Sequence, residues 1–147
     1  MPEIDLAVLE ADPAIVWNED VIRFSDTDLN GHVNNAAFAV FCESGRVNLL
    51  RRHLKPTREP GGFFVVAKLV VEFRGELFYP GRVRIATWVG ALGRTSVQFR
   101  QALFDESGRL VATSEAVTVS MDGTTRRPSP LGEATRAAIA PLMRAPS

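Results

Sequence analysis

Cysteine is almost absent from this sequence of 147 residues, and neither sign of charge is in excess. Cys42 is the only cysteine, so no disulfide can form within the chain, and a reducing, cytoplasmic location is expected. Its place inside an apolar stretch favours a small buried core residue over a reactive thiol, because no base stands beside it in the sequence. Seventeen Lys and Arg residues balance seventeen Asp and Glu residues, so bulk charge gives no case for binding nucleic acid.

Long hydrophobic runs are absent too. No apolar stretch approaches the roughly 20 residues that a membrane-spanning helix needs, and residues 1–17 lack the basic start and apolar centre of a secretory signal. Hydrophobic residues nevertheless make up 46% of the chain, far too many for a disordered protein. We therefore expect a soluble protein without membrane partners, folded as a single domain over residues 1–147, in which residues 1–12 form an N-terminal arm with little structure of its own.

The spacing of apolar residues changes along the chain. Residues 17–24 predict a first strand, and residues 35–54 predict a long helix whose buried face repeats every three or four residues. Residues 128–147 are expected to form a C-terminal tail, with a final helix from about Leu131 to Met143. Antiparallel strands joined by short turns have one face to bury, so the predicted class is α+β, a curved sheet wrapped around one long helix. Apolar and polar residues alternate after the helix, and this alternation predicts the remaining strands of the sheet at 65–74, 82–89, 96–103 and 110–121.

Polar side chains crowd the start of the predicted helix. Asp28, Asn30 and His32 alternate just before it, and Asn34 or Asn35 can cap it. A helix start offers unpaired N–H groups that can polarise a carbonyl, and a nearby carboxylate can attack that carbonyl or deprotonate water. The pattern therefore suits acyl transfer or hydrolysis. The alternative is a turn that closes on its own Asx side chains and has no chemical role.

No cofactor is predicted, and no metal site either, since His32 has no second histidine nearby. Two further acids flank the stretch. Asp26 is expected to bond backbone N–H groups at the strand end. Glu43 lies well past the first turn of the helix, and we expect it to be structural.

The sequence resembles the hotdog-fold thioesterases of the 4-hydroxybenzoyl-CoA thioesterase type. The resemblance lies in residues 23–28, residues 31–35 and the later Phe38, Glu43 and Arg46. The DxNxHVNN pattern from Asp28 to Asn35 is also similar to that of plant acyl-carrier-protein thioesterases. The resemblance implies a hotdog fold and thioester hydrolysis. It implies that Asp28 is the nucleophile or general base, that the backbone N–H of Asn35 binds the thioester oxygen, and that Asn30 and His32 assist.

The same resemblance implies how the carrier of the acyl group binds. In this family the pantetheine arm runs along a subunit interface, and Arg94 and Ser96 fit the pattern found beside it. The predicted sheet has open edges and an outer face of mixed polarity, so a homodimer or homotetramer is expected. Arg82 and Arg126 are weaker candidates for contact with CoA phosphates, because Arg forms strong charge-assisted bonds with phosphate. The expected substrate is an acyl-CoA, with an acyl-carrier protein as the alternative.

Two other functions remain open on the same fold, since fold does not fix function. One is an acyl-thioester-binding protein without catalysis, and the other is a hydratase acting on an enoyl thioester. The acyl preference is equally open. Aromatic residues are expected mostly in the core, although some could line the acyl pocket: Phe38, Phe41, Phe63, Phe64 and Trp88.

Overall fold

The computed structural model describes residues 4–145, which contain a five-stranded antiparallel sheet in the order β1-β3-β4-β5-β2. The expected α+β hotdog architecture, a sheet around a central helix, is confirmed. No helix within this part of the chain is long and apolar enough to cross a membrane. In chain order the elements are α1 (Leu6–Ala11), β1 (Val16–Ile22), α2 (Asn35–Leu49), β2 (Phe63–Phe73), β3 (Gly81–Leu92), β4 (Ser96–Phe104), β5 (Leu110–Met121) and α3 (Glu133–Ile139).

The central helix α2 begins where the sequence predicts. Asn34 is its N-cap, and the Asn34 side chain accepts a hydrogen bond from the backbone N–H of Ala36 at 2.6 Å. Gly45 allows the helix to lie close to the sheet, because a Cβ there would come within 2.5 Å of Gln101 Nε2 and 2.7 Å of Thr87 Oγ1. After α2 the chain continues as a π-helical turn, Leu50–Leu54, so the helical segment reaches as far as predicted.

The inner face of the sheet holds the main core. Phe38, Phe41 and Cys42 of α2 are buried there against strands β1, β3 and β4. The thiol of Cys42 is fully buried, and this burial raises its pKa, although the hydroxyl of Ser114 and the charge of Arg46 partly oppose the rise. The expectation of a core cysteine is confirmed.

The outer face of the sheet is covered as well, by the N-terminal segment. The prediction that residues 1–12 have little structure is wrong for residues 4–12, because Leu6–Ala11 forms a helix capped by the Asp5 side chain. Leu9 is only 1% exposed and packs in a cluster with Trp88 and Phe104. The apolar outer face of β3 and β4 therefore has a partner within the chain; residues 1–3 of the predicted arm lie outside the described residues.

The boundaries of two other elements differ from the prediction. The first strand ends at Ile22, and Phe24 lies 75% exposed in a short 3-10 turn. That turn forms because the Asp26 carboxylate accepts the backbone N–H of Arg23 at 2.8 Å, which confirms the structural assignment of Asp26. Near the C-terminus, α3 is shorter than expected and passes into a 3-10 turn at Ala140–Leu142. Residues 146–147 of the predicted tail lie outside the described residues.

Strand β2 forms an edge of the sheet and is paired on one side only, with β5. It is 11 residues long and apolar, and α2 lies over the other half of the sheet, so much of β2 is uncovered. Val66 is 50% exposed and Phe73 is 48% exposed. A long, apolar, unpaired edge is a surface on which another strand can pair.

Candidate active site

The loop between β1 and α2 folds into a tight turn around Asp28. Asp28 Oδ1 accepts the backbone N–H of Asn30 at 2.8 Å, and the Asp28 N–H donates to the His32 carbonyl at 3.1 Å. Gly31 sits at the tip with φ +84°, a conformation that glycine adopts without strain. Within residues 4–145 the second carboxylate oxygen, Oδ2, has no hydrogen-bond partner, so the predicted Asx turn exists and still leaves one oxygen available.

Backbone bonds to neighbouring segments fix this turn in place. The Val33 N–H donates to the Leu77 carbonyl at 2.8 Å, and the Asn34 N–H donates to the Asp26 carbonyl at 2.8 Å. The Val33 side chain is 1% exposed. The turn is therefore anchored on both sides at the point where α2 begins, and Asp28 stands at a fixed place beside the helix start.

The first turn of α2 has one backbone donor to spare. The Ala36 N–H is capped by Asn34 Oδ1, and the Ala37 N–H donates to the Asn34 carbonyl at 3.0 Å. For the N–H of Asn35, no acceptor is found in the described part of the chain. An unpaired N–H at the positive end of a helix is suited to bind a carbonyl oxygen or an oxyanion.

His32 and Asn30 stand in the turn but do not bond to the Asp28 carboxylate through their side chains. His32 Nδ1 lies 3.2 Å from the Val33 carbonyl, and Nε2 lies 3.8 Å from Glu76 Oε1. Asn30 is exposed, and its backbone N–H is the group that meets Asp28. Glu76 was not predicted. It lies near His32 because the Val33 N–H bonds to the Leu77 carbonyl, and nothing local in the sequence reveals that hydrogen bond.

The four predicted CoA-binding residues do not lie together. Arg82 is near the Asp28 end of the sheet, where it pairs with Glu19 at 3.6 Å. Arg94, Ser96 and Arg126 lie at the opposite end. Strand β3 has 12 residues, and at about 3.3 Å per residue the two ends are separated by roughly 35 Å. One chain therefore does not bring Asp28 together with Arg94, Ser96 and Arg126 in one site.

At the far end, loops gather the other three candidates. The Arg94 carbonyl accepts the backbone N–H of Leu131 at 2.9 Å, and the Arg94 side chain is exposed. The carbonyl of Ser96 accepts the backbone N–H of Gly93 at 2.9 Å and closes the β3–β4 turn. The Arg126 guanidinium lies 4.9 Å from the centre of the Phe63 ring. Arg58, which was not predicted, also lies at this end.

The aromatic residues separate into different environments. Phe38 and Phe41 belong to the inner core, and Phe38 meets Phe73 edge to face at 5.2 Å between ring centres. Trp88 belongs to the outer cluster beneath α1, which rules it out as a lining residue beside α2. Exposed apolar side chains instead surround the Asp28 turn: Phe24, Leu29, Phe78 and Tyr79.

Comparisons with known proteins agree on one family. Residues 22–139 match the family model described as thioesterase-like superfamily. The acyl-CoA thioester hydrolase YbgC of Escherichia coli is 26% identical over 113 residues, which are 75% of this chain and 84% of YbgC.

Solved structures show the same fold. A predicted thioesterase from Bacillus stearothermophilus has a TM-score of 0.82 at 22% identity, over 90% of this chain and 99% of its own. A thioesterase from Thermus thermophilus, solved with coenzyme A and Zn, has a TM-score of 0.77 at 29% identity, over 90% of this chain and 96% of its own. The chain belongs to the thioesterase-like superfamily, and its sheet and central helix have the hotdog arrangement.

Proposed function

We propose that this protein hydrolyses an acyl-CoA thioester to the free acid and CoA. One observation carries the proposal: a carboxylate with a free oxygen, Asp28, is held in an anchored turn next to a helix start whose Asn35 N–H has no acceptor in the described chain. The family and the name of the relative YbgC support the same reaction.

The chemistry requires a nucleophile and an oxyanion donor. In one route Asp28 removes a proton from water, the water oxygen attacks the thioester carbonyl, and the proton passes to the leaving sulfur. In the other route the Asp28 carboxylate attacks the carbonyl itself, the C–S bond breaks and the CoA thiolate leaves, and water then hydrolyses the resulting mixed anhydride to the free acid and the Asp28 carboxylate. In both routes the Asn35 N–H donates to the oxygen as negative charge develops on it.

Asn30 and His32 are proposed as helpers of Asp28. Asn30 shares the turn with Asp28, so its exposed amide is placed to hold the attacking water. The two ring nitrogens of His32 face the Val33 carbonyl and Glu76. That placement suits a role in holding the turn and the local charge, while the Asp28 carboxylate performs the chemistry.

The proposed active site is completed by a second copy of the chain. Two chains can pair their open β2 edges in antiparallel fashion about a two-fold axis. This pairing places the Phe63 end of one β2 beside the Phe73 end of the other, and thus Arg94, Ser96 and Arg126 of one chain near the Asp28 turn of its partner. The exposed apolar side chains of β2 would be covered at the same time. A homodimer built in this way, alone or within a tetramer, is the proposed assembly.

A panel of acyl-CoAs assayed for released thiol tests the function. We expect thiol release by the native protein and at least a hundredfold lower kcat in Asp28→Asn, because the amide keeps the turn but is neither a base nor a nucleophile. Glu43→Gln is the matched control: it neutralises the exposed acid within α2 and should leave kcat near the native value.

Three outcomes would contradict this proposal. Undiminished hydrolysis by a folded Asp28→Asn protein would remove Asp28 from the mechanism. Tight binding of acyl-CoA without thiol release from any member of the panel would favour a binding protein. Hydration of an enoyl-CoA without thiol release would favour a hydratase.

A further inference from the structure

A basic groove of about 410 Å³ lies where the helical segment after α2 leads into β2. Three basic residues line it, Arg51, Lys55 and Arg58, against one acid, Glu59. It lies at the far end of the sheet from the Asp28 turn of the same chain, beside Arg126. The excess of positive charge favours binding of an anion. Of the three basic residues, the half-buried Arg58 is the one held most firmly by its surroundings.

Contacts from two strands fix the Arg58 guanidinium. Nη2 donates to the Phe63 carbonyl at 3.1 Å and to Ser120 Oγ at 3.4 Å. The guanidinium carbon lies 4.0 Å from the centre of the Phe64 ring, in a cation–π contact. Its other nitrogens, Nε and Nη1, have no acceptor within residues 4–145. The Arg58 guanidinium is thus preorganised, and its Nε and Nη1 remain available to donate hydrogen bonds to a ligand.

The charge of Arg58 has no counter-ion in the described chain. No carboxylate among residues 4–145 lies within 4 Å of it, whereas Arg82 and Arg84 are each paired with a glutamate. Burial of the side chain lowers the pKa of Arg58, which reflects the cost of withdrawing a cation from water. A bound anion would offset that cost with charge-assisted hydrogen bonds.

The loop that forms one wall of the groove is held by a second loop. Gly61 has φ +81°, and a Cβ at Gly123 would overlap the Gly61 carbonyl, so the turn after β5 packs directly on this wall. Asp122 Oδ1 accepts the N–H groups of Thr124 and Thr125 at 2.8 Å and fixes the turn that presents Arg126. The groove therefore belongs to a packed part of the molecule.

We propose, building on the proposed function, that this groove binds a phosphate group of coenzyme A, with Arg58 as its principal ligand and Lys55 and Arg51 as additional charges. A phosphate on a narrow, extended molecule can reach a recessed guanidinium, whereas the broad acidic surface of a carrier protein would meet mainly the exposed rim. The two-fold pairing of β2 edges brings this groove near the Asp28 turn of the partner chain. The groove thus favours CoA over an acyl-carrier protein as the carrier of the acyl group.

Calorimetric titration of the full-length protein with free CoA tests this assignment without requiring hydrolysis. We expect Arg58→Gln to raise the Kd for CoA roughly tenfold or more, as for the loss of charge-assisted hydrogen bonds to a phosphate. The Kd of the native protein should rise with salt, and this dependence should be weaker in Arg58→Gln. Arg58→Lys should recover only part of the affinity, because Lys lacks the fork of donors.

The matched control is Arg84→Gln, which removes one Arg charge from β3, an inner strand of the sheet, where Arg84 pairs with Glu10 of α1. An unchanged Kd for CoA in Arg58→Gln, or an equal rise in Arg84→Gln, would overturn the assignment. If Arg58→Gln does not fold, the double variant of the exposed Arg51 and Lys55 to Gln provides the same test. A failure of the proposed function is seen separately, as intact CoA binding without thiol release.

Discussion

In the proposed mechanism the two carboxylate oxygens of Asp28 have different roles. Oδ1 closes the turn by accepting the Asn30 N–H at 2.8 Å, and Oδ2 has no partner in the described chain. An asparagine in its place keeps an oxygen that can accept the Asn30 N–H, but it removes the negative charge. At the scale of a residue, Asp28→Asn therefore separates chemistry from folding better than Asp28→Ala, which would remove both.

A second aspartate gives a prediction about pH. Burial by itself raises the pKa of Asp105, but hydrogen bonds from Ser107 and the Arg109 backbone, with the charge of Arg109, bring the pKa below its ordinary value. A carboxyl whose pKa is lowered by folding stabilises the fold above its unfolded pKa of about 3.9, and this contribution is lost as the pH falls through the folded pKa. Asp105→Asn should lower the free energy of unfolding by about 1 kcal/mol at pH 7.

Chemical denaturation from pH 7 to pH 2 measures this effect. The difference between the native protein and Asp105→Asn should be constant down to about pH 4 and then shrink, because the native carboxyl becomes neutral as well. Glu106→Gln, at the exposed neighbour in the same turn, is the control and should change the unfolding free energy by less than about 0.5 kcal/mol. A difference for Asp105→Asn that is the same at every pH would contradict the explanation.

Residues whose partners are close in sequence could be predicted. Asn34 caps α2 through Ala36, and Asp26 bonds Arg23, so the sequence contains both partners within three positions. The orientation of His32 could not be predicted, because Glu76 comes from a distant loop. Arg58 was not predicted either: Phe63 and Phe64 follow closely in the sequence, but the Ser120 hydroxyl comes from the distant β5, and only the fold shows that these groups meet around one guanidinium.

At the scale of elements, α1 acts as a cover for the outer face of β3 and β4. Leu9 is 1% exposed, whereas Val8 in the same helix is 50% exposed. Leu9→Ala should lower the free energy of unfolding by about 3 kcal/mol, since it leaves a cavity above Trp88 and Phe104. Val8→Ala should change it by less than about 0.5 kcal/mol.

Denaturant titration followed by Trp fluorescence reports on both variants. If Leu9→Ala is no less stable than Val8→Ala, then α1 does not contribute to the folded core. The sequence could not reveal this cover, because Leu9 belongs to a six-residue helix whose apolar pattern is too short to recognise. The long periodicities of α2 and of β2 to β5 were, by contrast, sufficient to predict the sheet and its central helix.

Strand β2 is the element that links the fold to an assembly. Its alternating pattern predicts a strand but does not say which neighbours it has, and the structure places it at an edge with Val66 and Phe73 about half exposed. The open edge of β2 and its exposed apolar side chains are therefore a surface available to a second chain.

At the scale of the whole molecule, the proposed dimer builds each active site from two chains. The Asp28 turn and the basic groove with Arg58 lie at opposite ends of the same sheet, roughly 35 Å apart by the length of β3. In the proposed assembly, a two-fold partner places one beside the other. Neither the Asp28 turn nor the basic groove of one chain would then function alone, because each forms a complete site only with the other chain.

A heterodimer of two impaired chains tests this claim most directly. Asp28→Asn and Arg58→Gln chains with different affinity tags can be co-expressed, and the mixed dimer purified and assayed for thiol release at an acyl-CoA concentration far below KM. If the sites are shared, one site of each mixed dimer combines the native Asp28 with the native Arg58, and the mixed dimer should recover about half of the native activity. An activity no higher than the mean of the two parent variants would contradict the account.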